Sequence, residues 1–249
     1  VPATVSLCSN IPTFRHPIHY QSNGDTQKLV DCMVWQLLEY QKEASRLMRR
    51  KYHWVFMELW ERMQGLDAGD EMTHLKWLYT TLARYTDILP VVGFNSGRYD
   101  IPLVRRFLPL ALKRMDSLPT FIIKKGRSYM SLCTKRLQFL DLTTFLGAGT
   151  SLKSFYKAYK VTQGKGLFPY SWFSSLDKLE APGLPARDPL FRKALDTGDE
   201  EAIKRLMPYD PFYDILHLNT ISNEDFDECH NEYRRLGMKK FGDYVKYYN

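Results

Sequence analysis

A seven-residue apolar run, Ile88-Leu89-Pro90-Val91-Val92-Gly93-Phe94, ends abruptly at Asn95-Ser96-Gly97 and sets the terms for the fold of this chain. Val and Phe held between a proline and a turn read as a buried β-strand. Helical patterns stand on both sides of it. Upstream, Asn23-Gly24-Asp25 is a turn in which Asp25 or Thr26 can cap a helix. The pattern then runs from Thr26 to about Arg62 as one helix or two, with Leu29, Val30, Met33, Leu37 and Tyr40 on its apolar side. A break at Gly65 to Gly69 precedes a helix near Glu71–Tyr85 that carries Leu75, Leu78, Leu82 and Tyr85 on one side. Downstream, a helix is expected from Ile101 to Met115. Strands follow at Thr120–Ile123, Tyr129–Cys133 and Leu137–Leu142, and Ser151 caps a helix to about Tyr159. Residues 164–190 read as irregular, and 198–206, 222–236 and 239–248 as helical. Ala3 to Cys8 is β-like, followed by turn residues. Grouped strands with helices before, between and after them predict a mixed α/β sheet.

The 249 residues are 44% hydrophobic, enough for a real core, and 14 Gly with 13 Pro argue against collagen or low complexity. No uncharged apolar run approaches the ~18 residues of a membrane span, so no membrane partner is expected. The first residue is Val1, with no basic stretch before an apolar one, so the chain is expected to be an internal piece of something longer, without a signal peptide. Cys8, Cys32, Cys133 and Cys229 form no CxxC pair and are expected to be free thiols of an intracellular protein. His16 and His19 straddle Pro17 in an expected loop with no third ligand nearby, which disfavours a metal site. Trp35, Trp54, Trp60 and Trp77 lie on helical patterns and are expected in the core.

Charge is unevenly spread. Val104 to Lys165 holds 13 Lys and Arg against two acids, while Asp177 to Glu232 holds six against 14. A basic middle beside an acidic flank fits a polyanionic partner, or simply basic cover on exposed helix faces.

The chemistry-bearing motif follows the buried strand: Gly93-Phe94-Asn95-Ser96-Gly97-Arg98-Tyr99-Asp100. Strand ends are where α/β sheets place ligands. A carboxylate there can share a divalent metal, an Asn amide can hydrogen-bond a sugar or base, and a Tyr ring can stack on a base. The same residues also suit an Asx-type turn with Asp100 as a helix N-cap.

This segment resembles the second exonuclease motif of the 3′–5′ exonuclease domain of family B DNA polymerases, in particular the protein-primed, viral and Polinton-like mobile-element branch. The resemblance implies that Asp100 is a catalytic, metal-linked carboxylate, and that Asn95 and Tyr99 contact the single-stranded 3′ end. Leu137 to Leu146 resembles the family's strand segment that touches single-stranded DNA. Leu142 stands where Ser or Thr is usual, and Thr143 follows it as the candidate ligand. Lys165-Gly166-Leu167-Phe168-Pro169-Tyr170 resembles the Lys-x-x-hydrophobic motif, implying that Lys165 stabilises the scissile phosphate and that Phe168 contacts the strand. Phe241 to Asn249 resembles the approach to the third motif. Tyr248 is its tyrosine, and the paired aspartate is expected beyond Asn249.

The resemblance thus implies an RNase H-like exonuclease domain, a mixed sheet flanked by helices, incomplete at both ends. It has a helical insertion over 26–88 and an irregular then helical acidic region over 171–249. The polymerase palm is absent. The implied chemistry is two-metal phosphodiester hydrolysis with Mg2+ or Mn2+. The implied partners are the DNA primer-template and, in the protein-primed branch, a terminal protein. Asp100 is the one carboxylate of that set present, so the isolated chain is expected to be inactive. The alternative from the same residues is a non-catalytic nucleic-acid-binding module derived from a mobile element.

Overall fold

The computed structural model describes residues 4–161 and 166–248. The protein is mixed α/β, built from helices and a mixed sheet, in two compact units that divide between Thr150 and Ser151. No helix among the described residues is long and apolar enough to cross a membrane, and all four cysteines are free thiols.

In the first unit, β1 (Thr4–Leu7) pairs antiparallel with β2 (Ile18–Gln21). The Asp25 carboxylate accepts from the Lys28 N–H at 3.0 Å and starts α1 (Thr26–Lys51). Helix α1 buries Val30, Val34, Leu37 and Leu38. They meet Leu108, Ala111 and Leu112 of α5 (Leu108–Met115) and Leu132, Leu137 and Phe139 of the sheet. Each such Leu or Val contributes about 1.5–3 kcal/mol when fully buried, so the first helix of the expected insertion is a core layer. The helical stretch breaks at Tyr52 into α2 (His53–Gln64), followed by α3 (Asp70–Asp87). Gln41 Nε2 donates to Asp87 O at 2.7 Å, Ser45 Oγ donates to its carboxylate at 2.6 Å, and Arg49 pairs with the same carboxylate. These contacts tie the end of α3 to α1 and fix where the next strand begins.

That strand is β3 (Leu89–Gly93), where the apolar run predicts one, but it is not the buried strand expected: no residue of it is fully buried and Val92 is 58% exposed, because β3 lies at the edge of the sheet among the described residues. It pairs parallel with β6 (Leu137–Asp141), from Leu89↔Leu137 to Gly93↔Asp141. β6 pairs antiparallel with β5 (Ser128–Cys133), and β5 with β4 (Phe121–Lys125), giving the order β3-β6-β5-β4. Pro90 lacks an N–H, which an edge strand tolerates, and β3 is an edge among the described residues.

The second unit opens with α6 (Leu152–Ala158), capped by Ser151 Oγ accepting from the Ser154 N–H at 3.1 Å. It continues through α7 (Pro189–Thr197), α8 (Glu200–Leu206), α9 (Asn223–Arg235) and α10 (Phe241–Tyr248). Its core joins Leu179, Phe241, Tyr244 and Val245 with the partly buried Phe168, Trp172 and Phe173.

Several expectations are corrected. Trp35, Trp54, Trp60 and Trp77 are exposed, each by 49% or more, rather than buried. Trp35 falls off the α1 face that packs on the sheet. α2 and α3 pack as a pair that fully buries little beyond Leu59, Leu75 and Thr86, so bulky side chains off that seam stay in water. The helix expected from Ile101 to Met115 is two, α4 (Asp100–Val104) and α5, because Pro109 has no N–H to continue a helix and instead begins one. His19 sits on β2, its Nδ1 2.8 Å from Ser6 Oγ, rather than in a loop. Helix α7 was not expected, although Asp188-Pro189 at its start and a left-handed Gly198 at its end are ordinary helix boundary signals.

Candidate functional site

Gly93 and Asp141 are register partners at the C-terminal ends of the parallel strands. Just beyond, the chain leaves β3 through Asn95-Ser96-Gly97, and its backbone N–H groups need acceptors. Asp141, only 4% exposed, supplies them. Its Oδ1 accepts from Asn95 N at 2.9 Å, Thr143 N at 3.0 Å and Thr143 Oγ1 at 2.8 Å, and its Oδ2 accepts from Gly97 N at 3.1 Å. Hydrogen bonds to a charged group are worth about 1.5–3 kcal/mol each. One buried carboxylate therefore holds two chain segments together.

The residue types of the turn follow from this. Asn95 has φ 59°, a left-handed conformation that Asn tolerates better than most side chains. Gly97 has no room for a side chain: a Cβ there would lie 1.7 Å from Tyr129 O, and Gly97 O accepts from the Tyr129 N–H at 2.9 Å. Arg98 N and Tyr99 N both donate to Asn95 O at 3.2 Å, and Ile101 N donates to Ser96 O at 2.9 Å. Tyr99 takes the cap position of α4 and Asp100 is its first residue, so Asp100 is not the N-cap. Tyr99 is 57% exposed. Burial of the Asp100 carboxyl pushes its pKa above the ordinary carboxylate range, and the like charge of Asp141 adds to the rise. Asp100 as a residue stays open to solvent, which tempers the effect.

The structure therefore brings Asn95, Tyr99 and Asp100 into one turn, with Thr143 joined to it through Asp141. The Thr143 hydroxyl is already engaged as a donor to that carboxylate. In the second unit, Phe168 and Tyr248 come together with ring centroids 4.8 Å apart, and the Tyr248 hydroxyl lies 2.6 Å from that of Tyr170. Burial raises the Tyr248 pKa, and the Tyr170 hydrogen bond adds to it. Lys165 lies outside the described residues.

A two-metal centre is not completed by these groups. Among the described residues no cluster of three His, Cys, Asp or Glu side chains is placed to hold a metal ion. Asp100 offers a carboxyl, but both oxygens of Asp141 are already engaged by backbone and hydroxyl donors. No catalytic step through a metal is assigned to these residues.

Asp141 is the residue of the candidate site that the sequence does not single out. Its one local signal is an acid closing a mostly apolar strand, Leu137-Gln138-Phe139-Leu140-Asp141. Compared with known protein families, curated proteins and solved structures, the chain matches none.

Proposed function

We propose that this chain grips the single-stranded 3′ end of DNA at the Asn95–Asp100 turn, as part of an RNase H-like 3′–5′ exonuclease domain of the family B polymerase type. The observation that carries the reading is the Asp141 pin. It fixes the turn through its backbone, so Asn95, Tyr99 and Asp100 form a preorganised set at the end of a parallel strand pair. An exposed tyrosine ring suits base stacking. Phe168, Tyr170 and Tyr248 form a second aromatic group of the kind that stacks on bases, and Lys165 is the candidate phosphate contact by resemblance. The incomplete carboxylate set favours a second reading for the chain by itself, a nucleic-acid-binding module without catalysis.

Fluorescence anisotropy with a 5′-labelled oligothymidylate at low salt tests the reading. Wild type should bind, and Tyr99→Ala should weaken binding by about 1–3 kcal/mol, the value of one stacked base, with an unchanged circular dichroism spectrum. No binding at low salt, or binding indifferent to Tyr99, defeats the proposal. Mg2+-dependent shortening of the strand that Asp100→Ala abolishes would select the exonuclease over the non-catalytic module.

A further inference from the structure

We infer that the β4–β5 hairpin is a phosphate clamp for the strand that reaches Asp100; the inference rests on the single-strand reading above. The hairpin turns at Gly126, whose φ of 59° suits a tight two-residue loop. Every residue from Phe121 to Arg127 is exposed. Its tip carries Lys124, Lys125 and Arg127, and none of the three stands in an ion pair among the described residues. Two other cations of the same basic stretch are neutralised: Arg114 pairs with Asp31, and Arg136 with Asp116 at 2.9 Å.

The tip is also at the right end of the sheet. Lys124 and Lys125 are register partners of Tyr129 and Ser128, at the start of β5. The Tyr129 N–H holds Gly97 O, and Lys124 Nζ lies 4.2 Å from the centroid of the Tyr129 ring. One residue therefore links the basic tip to the Asn95–Asp100 turn. Two carboxyl groups stand at the turn, Asp100 within it and Asp141 at the end of β6 bound to its backbone, and they repel an incoming phosphodiester chain. Uncompensated cations beside it offset that repulsion and steer the strand. Charge complementarity thus selects a nucleic-acid backbone as the occupant, contacted without regard to sequence.

The test compares two triple variants of the full chain that remove the same charge. One is Lys124→Ser/Lys125→Ser/Arg127→Ser. The other takes exposed cations elsewhere, Lys76→Ser/Lys113→Ser/Lys135→Ser. Affinity for labelled oligothymidylate is measured across a salt series. Each lost phosphate contact should flatten the slope of log K against log salt by about 0.7, so the hairpin variant should lose about two units of slope while the control stays near wild type. Equal losses in both variants, or an unchanged slope in the hairpin variant, overturn the clamp. So does a hairpin variant that loses binding to phosphatidylserine vesicles but keeps its DNA slope. If wild type binds and Tyr99→Ala weakens it while the hairpin variant does not, only the clamp fails. If wild type does not bind at all, the single-strand reading fails and the clamp with it.

Discussion

Asp141 in the first unit and Asp210 in the second are both buried aspartates, 4% and 3% exposed, and they are stabilised in opposite ways. Asp210 faces a full counter-charge. Arg187 Nε and Nη2 reach its two oxygens at 3.0 and 3.1 Å, and the Thr220 hydroxyl donates to it as well. The other guanidinium hydrogens go to Ser222 O, Ile221 O and Asn223 Oδ1, and the rings of Phe191 and Phe226 flank the cation. That network is neutral and satisfied. Asp141 instead takes three backbone N–H groups and one hydroxyl, all neutral donors, and it lies close enough to Asp100 to raise that neighbour's pKa. The first arrangement closes a piece of architecture. The second holds a surface turn rigid while leaving an anionic strand end next to solvent, which is what a preorganised site requires.

The sharpest way to break the contrast is Arg187→Met. It leaves Asp210 buried without its partner, and removing one member of a buried pair costs about 3–5 kcal/mol. Urea denaturation should show that loss, and Arg187→Met/Asp210→Leu should recover most of it, since two apolar residues leave no stranded charge. A loss below about 1 kcal/mol for the single variant would mean that the network does not hold the second unit together.

Asp141→Asn should have a smaller effect of a different kind. Asn has one acceptor oxygen, and with that oxygen on Asn95 and Thr143 its NH2 group would face the Gly97 N–H, donor against donor. A buried donor left unsatisfied costs about 1–3 kcal/mol. The loss should appear in urea denaturation together with weaker oligothymidylate binding, because the turn is no longer pinned. Arg187→Met, at a temperature where it remains folded, should leave binding by the Asn95–Asp100 turn intact. Equal effects of both substitutions on binding would erase the distinction between architecture and site.

The parts of this molecule that the sequence made legible are those with local causes. An apolar run bounded by a proline and a turn marked β3, and Asp25 before a helical pattern marked the start of α1. Asn95, Tyr99 and Asp100 were legible as a group because they share one turn. Asp141 acts on Asn95 from 46 residues away, and Arg187, in a stretch that reads as irregular, meets Asp210 23 residues further on. Such hydrogen bonds leave no periodic trace. The exposed tryptophans have a related origin: helical spacing shows which residues share a face, but not whether another element covers it. Trp54 and Trp77 lie on a helix pair that has too few neighbours to bury them.

The smallest predicted effect probes the coupling between the two carboxyls of the site. Asp100 has its pKa raised by burial first and by Asp141 second. A carboxyl raised on folding binds its proton more tightly in the native state, so stability falls as pH climbs through the carboxylate range and stays lower above it. Asp100→Asn cannot ionise. Its gain over wild type should be absent at acid pH, where Asp100 is protonated in both folded and unfolded chains, and should emerge as pH approaches neutrality. The gain should stay below about 1 kcal/mol, because solvent reaches Asp100 and screens the pair. Thermal melts across pH check the sign. In the Asp141→Asn background the same substitution should gain less, since the neighbouring charge is gone and only the burial contribution remains. A gain that persists undiminished at acid pH would trace to packing rather than ionisation, and would remove the electrostatic link between Asp100 and the carboxylate that holds its turn.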